Sequence, residues 1–307
     1  MLEALWGDWS VWRAAKKARP DKLHELLAVE LQPEVVVNRM HPVRGITPLM
    51  AATNALHTTS VAECVQILIS YGADVTAADN TKHRNTVLHY AACNNKATAI
   101  GELLDAGANI FARNRYGHTA LDVAWMHGRR EAARALMEHI QLHSGWLGIS
   151  SKVAVPRWKR RWCVVLASDS DSSSVEFCVF HQPDQVRPHK ILKFNAGTSI
   201  VVPTWSVVEF HVDGVKVQSL RQRFGENKVA IEAKSNQRHH TSGYRREFAF
   251  ASETSDTSND RQMWVGAFQV CGRGRVPRVK QRPRPHSWDA SRHSSDGDTN
   301  SRSSTLA

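Results

Sequence analysis

The chain is expected to be multidomain: an all-α solenoid of helix pairs, then a β-barrel or sandwich capped by a C-terminal α-helix, then a basic tail. Three observations predict this. A phrase returns at Thr47-Pro48-Leu49, Thr86-Val87-Leu88 and Thr119-Ala120-Leu121, each time a few residues ahead of an alanine, Ala52, Ala91 or Ala124. After His143 the helical period gives way to alternating β-branched segments, closed by a stretch with Met263, Trp264, Ala267 and Phe268 at helical spacing. Beyond Cys271 aliphatic residues almost vanish. The expected divisions are 1–142, 143–271 and 272–307.

In the first part, Thr86 and Thr119 lie 33 residues apart and Thr47 and Thr86 lie 39 apart. The surplus falls in Asn54–Ser60 and Asn80–Asn85, places where a stack of helix pairs tolerates insertions. Thr accepts from the first free amides of a helix, and Pro48 suits the first helical position, where a missing N–H costs nothing. Ala51, Ala52, Ala91 and Ala92 allow close helix approach. The second helices carry Ile67-Leu68-Ile69 or Leu103-Leu104 and stop at Gly72 or Gly107, glycine supplying the left-handed cap.

These residues resemble the ankyrin repeat family, over residues 45–140. Met50 and Asp122 replace the histidine that His89 supplies, and Val87 and Ala120 replace proline. Val11, Ala14-Ala15 and Leu26-Leu27 fit the same offsets as a degenerate opening repeat, and the last repeat is degenerate too, making about four. The resemblance implies protein recognition through loop tips and the concave face, with no chemistry. It makes His89 a structural histidine bonding neighbouring turns. The tips hold Lys82, His83, Arg84, Arg113, Arg115 and Tyr116, candidate contacts for an unidentified protein partner.

In the second part, strands are expected at Trp162–Leu166, Val175–Phe180, Ile191–Phe194, Ser199–Val202, Val207–Val212, Val229–Ala233 and Glu247–Ala251, then a helix over Asp256–Val270 with Asp256 or Ser258 as its cap. Opened by Ser144-Gly145-Trp146-Leu147 and Arg157–Leu166 and closed by Trp264, the segment resembles a pleckstrin homology (PH) domain. That resemblance implies a headgroup site at the open end of the barrel. Alternation puts Lys159 and Arg161 on one face of the second strand, a spacing at which two cations grip phosphates. Ile149 stands where the family has a first-strand lysine, and Lys152 is the nearest substitute. The candidate lipid-binding set is Lys152, Arg157, Lys159, Arg161 and Lys190, with Arg160 and Lys193 adding to general attraction for anionic lipid. Specific phosphoinositide binding, non-selective anionic attraction and a protein-docking role all stay open on these residues.

The tail clusters Arg273, Arg275, Arg278, Lys280, Arg282 and Arg284, a composition too poor in apolar residues to fold and able to supplement a lipid site. Arg282-Pro283-Arg284-Pro285-His286-Ser287 resembles a basophilic kinase site. A net charge of +11 points to anionic partners. Nucleic acid is not expected, because the sheet lacks interleaved aromatic and basic residues.

No phosphate-cradle glycine loop, His-Glu-x-x-His or Gly-x-Ser-x-Gly occurs, and His239-His240 has no carboxylate or cysteine at ligand spacing. An enzyme is not expected, nor a cofactor or metal. Met1–Ser10 carries Glu3 and Asp8 in place of a basic leader, and no apolar run is long enough to span a bilayer. The five cysteines show no paired spacing. The expectation is a cytoplasmic adaptor that attaches peripherally to membranes.

Overall fold

Residues 9–55, 60–151, 157–170, 174–195, 198–204, 206, 208–218, 223–224, 246–252 and 257–269 are described by the computed structural model. Lys152, the expected strand Val229–Ala233, His239-His240, the cap candidate Asp256, Cys271 and the tail 272–307 with Ser287 lie outside the described residues.

Four helix pairs are α1 (Ser10–Lys16) with α2 (Pro20–Ala28), α4 (Pro48–Thr53) with α5 (Val61–Ser70), α6 (Val87–Cys93) with α7 (Ala97–Asp105), and α8 (Ala120–Met126) with α9 (Arg130–Ile140); a short α3 (Pro33–Asn38) follows the first pair. First helices stack in the row α1, α4, α6, α8, and second helices in the row α2, α5, α7, α9. Ala51, Ala52, Ala91 and Ala92 are fully buried where the rows approach, as small side chains allow. Gly72 and Gly107 end their helices at φ +85° and +90°, a conformation that would strain any residue with a Cβ.

The recurrent threonine does cap. Thr47 Oγ1 accepts from Met50 N–H at 3.3 Å, and Thr119 and Asp122 close a reciprocal box in which Asp122 Oδ2 accepts from Thr119 N–H at 3.0 Å. In the middle repeat His89 serves instead. Its Nδ1 accepts from Thr86 N–H at 3.1 Å, leaving Nε2 protonated to donate to the His118 carbonyl of the next repeat at 2.9 Å. Burial holds the His89 pKa below its usual value. The unfolded chain therefore binds more protons, and this contribution is present above about pH 6.5 and lost as pH falls through the folded value. His89→Ala orphans a buried donor and acceptor and is expected to cost about 2 kcal/mol in urea denaturation at neutral pH; a cost under about 0.5 kcal/mol would show that neither bond contributes.

The Asn80–Asn85 insertion wraps the buried Asp79, whose carboxylate accepts from Thr81 N–H and Oγ1, Asn85 N–H and Tyr90 Oη. Four donors on one carboxylate make the longer loop a defined turn.

α9 runs straight into β1 (Gln141–Ser150), ahead of the expected boundary at 142/143. Then come β2 (Lys159–Ala167), β3 (Ser174–Phe180), β4 (Lys190–Asn195), β5 (Ser199–Val201), β6 (Glu209–Gln218), β7 (Arg246–Ser252) and the closing helix, named α10 here (Thr257–Gln269). The antiparallel order is β4-β3-β2-β1-β7-β6-β5, and β4 also pairs with β6 from Ile191↔Gln218 to Lys193↔Lys216, so the sheet curls back on itself. Its inner face buries Leu147, Cys163, Val165, Phe177, Phe194, Phe210 and Phe250. α10 lies across β1, β6 and β7 with Trp264 and Phe268 in this core, Trp264 edge-on to Phe177 at 6.1 Å. A Cβ on Gly145 would meet the Trp264 ring at 3.3 Å, so any side chain there would have to push the buried indole by a few tenths of an ångström. Met263, expected on the buried face, is 55% exposed: the apolar stripe of α10 is narrower than its spacing suggested.

Alternation leaves the other face of β2–β4 equally apolar. Val164, Leu166, Cys178, Phe180 and Ile191 are buried, not against the inner core but in one continuous cluster with Trp125 and Leu136 of the last repeat. The sheet therefore covers the end of the helical stack, where a terminal repeat needs a cap. Among the described residues, three charged side chains sit inside this seam. Glu176 of β3 and Asp122 of α8 both take Arg223, at 2.6 and 2.5 Å, and the three side chains are 7%, 1% and 8% exposed. Asp122 thus stands where His89 stands one repeat earlier, and makes the corresponding outward bond to the sheet portion in place of another repeat.

Candidate functional site

β3 stops at Phe180, opposite Trp162, so Lys159–Arg161 at the start of β2 overhang the connection 181–189. That connection returns at Lys190, opposite Val179. Between them opens a cleft of about 240 Å3 lined by Arg157, Lys159, Arg161 and Lys190, with Ser150 and Ser151 of the β1 end, His189, and apolar Ile149, Val179, Leu192 and Phe248 as floor. No carboxylate is among these residues. Four of the five expected lipid-binding residues are brought together here; Lys152 belongs to the segment outside the described residues. Arg157 N–H donates to Ser150 Oγ at 3.0 Å and fixes the return from β1 to β2.

Two residues expected to contribute charge do not line the cleft. Arg160 alternates to the other side, its guanidinium 4.2 Å over the Trp146 ring, which meets Trp162 edge-on. Lys193 lies on the outer face of β4, 3.3 Å from Glu176. In each case the two-residue period of the strand sends neighbours to opposite faces.

His189 was not anticipated. An exposed residue, it stands beside the His181 ring at 4.6 Å, and its pKa is held below the usual value by partial desolvation first, then by His181, Lys190, Arg161 and Lys159. Only strand pairing brings these groups together, so the sequence carried no signal beyond its adjacency to Lys190.

The expected protein-contacting residues divide between two loops that touch. Arg115 N–H donates to the His83 carbonyl at 2.9 Å, and the His83 ring lies 5.6 Å from Tyr116, which is 52% exposed. Tyr116 stacks on His118, and His118 meets Phe224 edge-on. Lys82, Arg84 and Arg115 are exposed around this aromatic row, Arg84 at φ +56° at the head of its turn. Arg113 differs: its guanidinium donates to the Gly117 carbonyl at 2.8 Å and lines a second, polar cleft against Ser168, Asp169 and Lys193 of the sheet.

The described residues include no helix long and apolar enough to cross a membrane. A family model for ankyrin repeats, in three copies, matches residues 11–114 and 61–144, so the helical portion is an ankyrin-repeat array. The chain is 31% identical over 160 residues to a probable E3 ubiquitin-protein ligase, XBOS34, of Oryza sativa subsp. japonica, covering 48% of this chain and 31% of that protein. It is 36% identical over 94 residues to the human palmitoyltransferase ZDHHC17, covering 29% and 14%. A putative E3 ubiquitin-protein ligase of Arabidopsis thaliana, XBAT35, is 36% identical over 103 residues, covering 34% and 22%. These likenesses fall on the ankyrin-repeat region, and the chain spans under a third of each relative. Ankyrin repeats imply a protein partner.

Proposed function

We propose that this chain is a non-enzymatic adaptor: its ankyrin repeats bind a protein partner, and a PH-like second portion holds phosphoinositide or an anionic membrane face. The observation that carries the lipid half is the convergence of Arg157, Lys159, Arg161 and Lys190 on one cleft whose lining has no carboxylate. Among the described residues the cleft lining offers these cations no carboxylate, and phosphate supplies the counter-charge through charge-assisted hydrogen bonds. The strand order and the Trp264 helix support the PH-like reading. The exposed basic row around Tyr116 supports a partner contact at the repeat tips. With the relatives the chain shares its repeats, so partner binding is what that likeness suggests here, and ligase or transferase activity is not proposed. Cytoplasmic residence with peripheral membrane attachment follows from this reading, and nucleic acid has no place in it.

Replacing Lys159 and Arg161 together by alanine removes two such contacts of about 1.5–3 kcal/mol each and is expected to weaken sedimentation with phosphoinositide vesicles at least about a hundredfold. Unchanged binding would eliminate the cleft as the lipid site. The alternative, a scaffold binding only protein, is favoured by Ile149, an uncharged residue at the cleft wall where a lysine would complete it.

A further inference from the structure

Resting on the reading of the cleft as a phosphate site, we infer that His189 is its proton-linked fifth cation: a phosphorylated inositol entering the cleft brings a proton onto this imidazole, and binding strengthens as pH falls. The argument starts from what surrounds the ring. From β2 it faces Lys159 and Arg161, from β4 Lys190, and from the end of β3 His181. Asp184, in the same connection, is exposed and does not line the cleft, and Arg187 turns away to the Met126 carbonyl. With the fixed positive charges of Lys159, Arg161 and Lys190 beside it, the cleft by itself keeps the ring neutral at neutral pH, as the lowered pKa also indicates.

A phosphate monoester reverses this. It brings about −1.5 to −2 charges and three acceptor oxygens into the space these groups share. The ring then gains an anion at hydrogen-bonding range while the neighbouring cations are neutralised, and both effects favour imidazolium. By reciprocity, the factor by which ligand raises the ring's proton affinity is the factor by which the proton raises ligand affinity. The ligand opposes this trend on its own account: its second pKa is near 6, so at low pH it loses charge and binds weaker to fixed cations. Wild type and a histidine-free cleft are therefore expected to move in opposite directions.

The test is binding at about pH 7.5 and about pH 5.5 by the full chain, His189→Gln and His181→Gln. One arm uses phosphatidylcholine vesicles with and without phosphatidylinositol bisphosphate; a second uses soluble inositol hexakisphosphate in calorimetry, which separates a lipid requirement from headgroup chemistry. Wild type is expected to bind about tenfold tighter at the lower pH, within the span usual for linked sites. At the lower pH H189Q is expected to lose the gain or reverse it. Equal pH profiles for wild type and H189Q overturn the inference while leaving the cleft reading intact. Loss of the gain in H181Q but not H189Q overturns the assignment. Absence of binding by wild type in both arms at both pH values overturns the inference together with the reading beneath it.

Discussion

Arg223→Ala is expected to lower the free energy of unfolding by about 3–5 kcal/mol, because it leaves two carboxylates buried without their shared counter-charge. Asp122 and Glu176 are 1% and 7% exposed, and both hold the same guanidinium. Among the described residues, the partly exposed Lys193 at 3.3 Å from Glu176 is the other cation paired with this cluster, on one side only. The loss comes from desolvated charge, not from a missing attraction. A second substitution should then restore much of it: Arg223→Ala with Glu176→Ala is expected to cost clearly less than the two single costs added together. Urea denaturation of the four proteins gives the coupling. A single-substitution cost below about 1 kcal/mol, or strict additivity, would mean that water reaches these groups and that the cluster behaves as a surface pair.

Residues 1–142 expressed alone are expected to melt at least about 10 °C below the same repeats in the full chain, if they fold at all. Severing the chain after α9 strips the outer face of β2–β4 from Trp125 and Leu136, and removes Arg223 from Asp122. Each large apolar side chain returned to water costs about 1.5–3 kcal/mol, and these two together are comparable with the lower end of the roughly 5–15 kcal/mol by which a domain is stable. Circular dichroism melting of the two proteins measures this. Equal midpoints would show that the last repeat is self-sufficient and that the sheet only leans on it.

A covered solenoid end also bears on the adaptor reading. With one apolar cluster running from α1 to β4, the repeats and the cleft-bearing sheet are parts of one packed body, not beads on a linker. A partner held at the Tyr116 tips would then be presented at a set distance and angle from whatever occupies the cleft.

Much of this was open to reading in the residues. The threonine caps, the left-handed glycines and the buried alanines follow from local rules, since cap, turn and period are decided within a few residues, whereas the role of His89 rested on the resemblance to ankyrin repeats, its bond reaching His118 in the next repeat. The pairing of Lys159 with Arg161 followed equally from strand alternation. The seam between repeats and sheet was signalled but not recognised: Cys163-Val164-Val165-Leu166 and Val175–Phe180 are apolar at almost every position, as strands buried on both faces are, and Glu176 is the exception. Asp122 in place of histidine marked the same seam.

What the chain determined by itself is therefore the identity of its elements and which face of each is apolar, because propensity, capping and periodicity act over one turn or one pleat. Which surfaces meet was decided only in three dimensions. Asp122 and Arg223 are 101 residues apart, and Arg161 at the start of β2 is separated from His189, just before β4, by the whole of β3; such pairs come together only after strand order and register have set the sheet against the end of the helical stack.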